Sequence, residues 1–323
     1  MNNCEIKYNA KLFSMIGQAG SVFGIASVNF HDQYSLKILS SDMSYAAGLA
    51  KYKELYPKDF INVGIAEQNL IGIASGMVAE GLNCIAVAQA CFLSMRSFEQ
   101  IRQYMGYMHE KLIVVGLNSG FSLTFFGNTH YAVEDIALIR TIPNMTILSP
   151  ADAGEAIKAV EAALKMNTPV YIRLSGSLNN PIVYENDFEY DPSKANVVYD
   201  SGEDIAILAT GSLVYNSIKA AKMLNDVGIK AKVFDIHCIK PFDKDVIKKI
   251  KNCKLAVTAE EHSVIGGLGG AVAEMLAESS GGPTLIRIGV NDCFSTVGDY
   301  KYLMSQHGLT PERIVESIKK ELA

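Results

Sequence analysis

A single glutamate draws attention first: Glu67, inside the run Val63-Gly64-Ile65-Ala66-Glu67-Gln68-Asn69. It follows a β-rich stretch and opens a segment in which Leu70, Ile71, Ile73, Ala74, Met77 and Val78 are apolar almost all round, the pattern of a helix buried at an interface. Two readings are open. A carboxylate in the first turn of a helix is stabilised by the dipole and the free N–H groups. Equally, a carboxylate held out of water is placed to share a proton with a ligand nitrogen. A second acid–base group, Glu260-Glu261-His262-Ser263, follows another β-rich run and is an attractive constellation by itself. His109 and His307 stand beside charged or glycine residues and are expected at the surface. Neither G-x-x-x-x-G-K-[ST] nor G-x-G-x-x-G occurs, so the usual phosphate loops of open α/β sheets are missing. The glycine cluster Gly266-Gly267-Leu268-Gly269-Gly270 could start a helix near an anion, but a tight turn with close packing is preferred.

The elements that must hold these residues alternate along the chain. Short, mostly apolar runs at 36–39, 60–63, 85–88, 112–117, 145–148 and 170–174 are joined by helix-length patterns, as expected of a parallel sheet covered on both faces. Residues 10–29 read as one helix with Leu12, Met15, Ile16 and Ala19 on a stripe. The stretch 175–204 has little periodicity and seven acidic residues between Glu185 and Asp204, and is expected to drape over the surface as a linker. Alternation resumes with runs at 205–209, 232–236, 255–258 and 285–290, ending in a helix opened by Thr310-Pro311-Glu312. The predicted fold class is α/β, with two doubly wound domains at 1–180 and 204–323 joined by a linker at 181–203.

Composition narrows the function. At 323 residues and 49% hydrophobic, the chain can bury two cores. Its longest apolar stretches fall far short of the roughly 18–20 residues of a membrane helix, and its start lacks a secretory signal, so a soluble, cytoplasmic protein without a membrane partner is expected. A net charge of −5 leaves no basic surplus for a phosphate backbone, which argues against nucleic acid. Cys4, Cys84, Cys91, Cys238, Cys253 and Cys293 are scattered and read as reduced thiols in apolar surroundings.

Several strings together resemble the pyrimidine-binding domain of transketolases, specifically the separate C-terminal subunit of split bacterial and archaeal enzymes. They are the run around Glu67, then Ala90-Cys91-Phe92, Met95-Arg96-Ser97-Phe98-Glu99-Gln100-Ile101-Arg102, Asn128-Thr129-His130, Glu134-Asp135-Ile136-Ala137 and Pro143-Asn144-Met145-Thr146. Glu260-Glu261-His262-Ser263, Gly266-Gly267-Leu268-Gly269 and the end of the chain resemble that family's smaller last domain. The resemblance runs from about residue 36 onward and implies a pyrimidine-binding thiamine diphosphate fold followed by the transketolase C-terminal α/β domain. It implies that Glu67 hydrogen-bonds the 1′ nitrogen of thiamine diphosphate, that Phe92 and Phe98 pack the pyrimidine ring, and that His130 transfers protons or hydrogen-bonds at the substrate oxygen. In the family, a Gly-Asp-Gly motif on another domain holds the diphosphate and its Mg2+ or other divalent metal. No Gly-Asp-Gly occurs here. The implied partner is therefore an N-terminal transketolase subunit carrying that motif, in an α2β2 assembly, with no metal ligand on this chain.

The sequence also departs from the family. Where sugar-phosphate transketolases carry an acid and an aspartate before Gly-x-Thr-His, this chain has Phe125 and Phe126, which turns a polar wall of the substrate pocket apolar. The acceptor-phosphate arginine position appears as Gly176. Arg173 lies earlier, on the strand, where an ion pair is the preferred reading, and no arginine precedes Arg96. Tyr45-Ala46-Ala47 stands where a serine or threonine is expected. Losing a bidentate clamp is not conservative. These departures imply a two-carbon ketol or related acyl transfer on a non-standard ketose or 2-oxo donor and an aldehyde acceptor. Two alternatives stay open: the β subunit of a 2-oxo acid dehydrogenase, which the Glu67 and Thr129-His130 motifs fit less well, and a non-catalytic subunit of a transketolase-like complex.

Overall fold

The computed structural model describes residues 7–17, 20–177 and 180–323. Cys4 and Ala19 lie outside the described residues. In chain order the first layered unit comprises α1 (Ala10–Ile16), α2 (Ser21–Tyr34), β1 (Lys37–Ser40), α3 (Ala50–Leu55), β2 (Phe60–Asn62), α4 (Glu67–Ala79), β3 (Cys84–Gln89), α5 (Ala90–Met95) and α6 (Phe98–Gln100), with a π-helical turn continuing α6 through Ile101–Tyr107. It ends with β4 (Ile113–Ser119), α7 (Asp135–Arg140), β5 (Thr146–Leu148), α8 (Ala153–Lys165) and β6 (Val170–Ser175). The second comprises β7 (Asn196–Asp200), β8 (Ile205–Ala209), α9 (Leu213–Asn225), β9 (Ala231–Asp235), β10 (Cys238–Lys240), α10 (Lys244–Ile250), β11 (Leu255–Ser263), α11 (Leu268–Ala277), β12 (Thr284–Val290), α12 (Tyr300–Gln306) and α13 (Pro311–Leu322).

The apolar runs form strands because both faces of each sheet are covered. In β3, Ile85 and Val87 enter one core layer with α2 and α8, while Ala86 and Ala88 enter the opposite layer with α4. The second sheet repeats this: Ile205, Ile207 and Ala209 of β8 face α9 and α13, whereas Ala206 and Leu208 face α10 and α11. Two α/β units with mostly parallel sheets result, with strand orders β10-β5-β6-β4-β3-β1-β2 and β12-β11-β8-β9-β7.

Four features differ from expectation. The predicted helix over 10–29 is two helices: α1 closes at Gly17, and of its stripe Leu12 and Met15 are exposed while Phe13 is buried. The stretch 181–203 contains β7, an antiparallel edge strand on β9 whose alternating exposure leaves no continuous apolar run to read. Asp152, the N-cap of α8, pins this stretch by accepting from the Val183 and Tyr184 N–H groups at 2.8 and 3.0 Å. β10 leaves the second unit and pairs antiparallel with β5 of the first. Finally, Cys293 is exposed, unlike the buried Cys84, Cys91, Cys238 and Cys253, and His307 is half-buried, stacked on Phe121 and bonded to Ser295 Oγ.

Candidate active site

The loops that follow β2, β3 and β4 gather at the carboxyl ends of the parallel strands, where open α/β sheets bind ligands. Glu67 is placed by the turn before α4. Gly64 adopts φ +79, and Ser41, at the end of β1, donates its hydroxyl to the Gly64 carbonyl and accepts from the Ala66 N–H at 3.0 Å. The glutamate therefore enters the helix 2% exposed. Its Oε2 accepts from Arg96 Nη1 at 2.7 Å, and Oε1 has no hydrogen bond among the described residues. Arg96, four residues after Phe92, also lies with its guanidinium 4.4 Å over the Phe92 ring, a cation–π contact.

Phe92 continues the site toward β4. Its ring packs edge-on to His130 at 5.1 Å, and His130 lies 4.6 Å from the Phe126 ring. The Thr129 hydroxyl donates to the Phe126 carbonyl at 3.2 Å, so its 2.9 Å contact with His130 Nδ1 has the ring nitrogen as donor. That tautomer leaves Nε2 bare, able to accept from a substrate hydroxyl. Phe125 and Phe126 are 76% and 52% exposed, so the apolar wall faces outward in this chain alone. The loop is anchored on the second unit: Asn128 Nδ2 donates to the Ser295 carbonyl at 2.6 Å, and the Ser295 N–H donates back to Asn128 Oδ1 at 3.0 Å.

Glu67, Phe92, Phe126 and His130 are thus linked in one continuous surface. Phe98 is not part of it, since it packs half-buried against the core cluster containing Leu70, Ile71 and Ile101. Arg96 and Thr129 are contacts that sequence reasoning passed over; the four-residue spacing of Phe92 and Arg96 was the available signal for the first. The buried carboxylate with one unbonded oxygen, beside an aromatic face, fits an aminopyrimidine ring bearing a nitrogen to be hydrogen-bonded.

The other acid–histidine group is closed. Glu260 accepts from the Leu268 and Gly269 N–H groups at 2.7 Å, so the anion at the glycine-rich start of α11 is the chain's own. Glu261 accepts from Phe121 N–H at 2.6 Å, from Tyr300 at 2.7 Å and from Ser212. His262 donates from Nδ1 to the Ser263 carbonyl at 2.7 Å and accepts from the Ala137 N–H at 3.3 Å. Burial lowers its pKa to about 4. Arg173 is the ion pair expected: fully buried, it donates to Asp135 at 2.9 Å and to the Ala132 and Glu261 carbonyls.

Residues 30–181 match the transketolase pyrimidine-binding domain and residues 193–314 the transketolase C-terminal domain. Both domains, in this order around this strand-end site, define the transketolase family, and the chain belongs to it. Thiamine diphosphate dependence goes with that family. Within it, this chain corresponds to the C-terminal section of a split enzyme. It is 36% identical to a sequence described as a transketolase C-terminal section from Methanocaldococcus jannaschii, over 89% of this chain and 92% of that one. It is 38% identical to the 6-deoxy-6-sulfo-D-fructose transketolase subunit SqwH of a Clostridium species, over 86% of each. A solved split-gene transketolase, described as an inactive β4 tetramer, superposes with a TM-score of 0.86 at 36% identity, covering 94% of this chain and 98% of that one.

Proposed function

We propose that this chain is the pyrimidine-activating half of a two-chain, cytoplasmic transketolase acting on a non-standard sugar substrate, with Glu67 as its central catalytic residue. When bound, thiamine diphosphate supplies a thiazolium carbon that becomes a nucleophile and an electron sink. Glu67, dry and at the N-terminus of α4, holds a proton at the 1′ nitrogen of the pyrimidine, and Phe92 packs against that ring. Arg96 holds the carboxylate oriented through one oxygen, leaving the other for a ligand donor. His130, held by Thr129, accepts at Nε2 from a substrate hydroxyl, and Phe125 and Phe126 exclude water beside it. Phe98 acts indirectly, by packing beneath α4.

The observation that carries this reading is the incompleteness of the Glu67 surface. The chain has no Gly-Asp-Gly motif, and among the described residues one face of α4 and the turn before it are uncovered: Ile65 in the turn and Ile73 in the helix are exposed, and a Cβ at Gly72 or Gly76 would meet nothing within 4 Å. Two glycines inside a helix each cost about 0.5–1 kcal/mol relative to alanine, which favours a surface where another backbone comes close. An N-terminal subunit bearing the diphosphate and its Mg2+, in an α2β2 assembly, meets that need. The domain limits 1–180 and 204–323 are part of the same proposal. For substrate, Phe125 and Phe126 in place of acids point away from ordinary pentose and hexose phosphates, and the Clostridium relative is named for a sulfonated ketose.

The experiment is to co-purify the chain with its partner and replace Glu67 by Gln. Loss of turnover with assembly intact supports catalysis, and unchanged turnover leaves only a scaffold. Robust conversion of xylulose 5-phosphate with ribose 5-phosphate would overturn the substrate reading.

A further inference from the structure

Three polar side chains with no part in that chemistry meet where the two units and their connection join. Glu155 lies in the first turn of α8, Asp235 ends β9 and His237 follows two residues later. All three are 0% exposed, and one ligand atom from each lies within 4.8 Å of the others. His237 Nε2 contacts the Asp191 carbonyl of the connecting stretch at 3.0 Å. A carbonyl only accepts, so Nε2 carries a hydrogen, and in the neutral ring Nδ1 is then a lone pair, 3.2 Å from Glu155 Oε1. The outer oxygens are already held: Glu155 Oε2 accepts from the Ala151 N–H at 2.6 Å, and Asp235 Oδ2 from the Tyr184 hydroxyl at 2.7 Å.

Glu155 Oε1, Asp235 Oδ1 and His237 Nδ1 find no hydrogen-bond partner outside the three and face one another, and among the described residues no lysine or arginine pairs with either carboxylate. Lone pairs in a dry interior need positive charge among them. A single proton can bridge two of the three atoms, whereas a metal ion bonds all three. An imidazole whose second nitrogen donates to a backbone carbonyl, with carboxylates steadied by donors of their own, is the way proteins orient metal ligands. One nitrogen and two oxygens suit zinc and similar divalent ions. Ligand atoms about 2.1 Å from a tetrahedral zinc stand roughly 3.4 Å apart, close to the Nδ1–Oε1 separation already present.

We propose that Glu155, Asp235 and His237 bind one divalent transition-metal ion of the zinc class, which fastens α8 to β9 and to the connecting stretch.

The test uses the full chain by itself, so that a metal held by the partner is not counted, purified without metal-affinity resin. Zinc is removed with a chelator, then Zn2+ or, as a control, Mg2+ is added back. Metal content is read by mass spectrometry and stability by thermal melting. The expected result is about one zinc per chain, a melting temperature several degrees lower after chelation and restored by Zn2+ but not Mg2+, and a visible absorption spectrum on Co2+ loading. Glu155→Gln, of equal size, should bind Zn2+ at least tenfold more weakly and lose the Co2+ spectrum. Should that variant fail to fold, the loading and spectrum of the unaltered chain decide. Less than about a tenth of a zinc per chain after loading, with an unchanged melting temperature, overturns the proposal and leaves a shared proton as the occupant.

Discussion

The chain carries two acid–histidine surfaces of similar composition, and they have opposite fates. Around Glu260, Glu261 and His262 every charged atom is matched within the chain, by backbone N–H groups, hydroxyls and Arg173, and the whole group is buried. Around Glu67 and His130 the chain leaves a carboxylate oxygen and an imidazole nitrogen unmatched beside exposed phenylalanines. Residue type alone does not separate a structural constellation from a functional one. Saturation does: a group that has satisfied its hydrogen bonds holds the fold, and a group that has not is waiting for a ligand.

The largest effect should come from the unsaturated surface. Glu67→Gln in the assembled enzyme is expected to lower kcat by 10²–10⁴-fold, the usual worth of positioned proton transfer, with the melting temperature almost unchanged; steady-state kinetics and calorimetry check both halves. The saturated surface should respond in the opposite sense. Arg173→Ala strands Asp135 in the core and should cost about 3–5 kcal/mol in urea denaturation, with the kcat of the folded fraction kept.

Glu260→Gln is expected to cost less, about 1–3 kcal/mol, because one amide oxygen replaces two acceptors. Its pH dependence is the sharper reading. Burial pushes the Glu260 carboxyl up to about 7 from an ordinary 4.5, so between those values the folded state keeps a proton the unfolded state has lost. Its contribution to stability is fully present below pH 4.5 and lost as pH rises through 7. His262, lowered to about 4 from 6.5, works the other way, favouring the folded state as pH rises from 4 to 6.5. The unaltered chain should therefore show a shallow profile there, and Glu260→Gln one that climbs with pH; equal slopes would show that Glu260 does not titrate in this window. The smallest effect belongs to Thr129→Val, which frees the His130 tautomer and should lower kcat/KM by about two- to tenfold, the worth of one neutral hydrogen bond.

How much of this was legible beforehand follows from where the signals lie. Strands such as β3 and β8, covered on both faces, carry unbroken apolar runs and were readable. β7 and β10 were not, since an edge strand shows no such run and three residues that rejoin another unit's sheet carry no local pattern. Glu67 was visible through its motif and helix start. Its pairing with Arg96 joins the start of α4 to the end of α5, 29 residues apart, and could be seen only after folding. The half-buried packing of Phe98 against the core was not legible either, because an aromatic next to a ring-binding motif looks the same in sequence whether it turns toward a ligand or into the core. The cluster of Glu155, Asp235 and His237 was invisible for a similar reason: its members come from α8 and the end of β9, some eighty residues later in the chain.

The account stands or falls on whether the Glu67 surface is half of a site. Titration calorimetry of thiamine diphosphate with Mg2+ into this chain alone, and into the chain mixed with its N-terminal partner, measures that directly. No binding by the chain alone, with binding and turnover on mixing, is the predicted result. Tight cofactor binding or ketose turnover by the chain alone would contradict it.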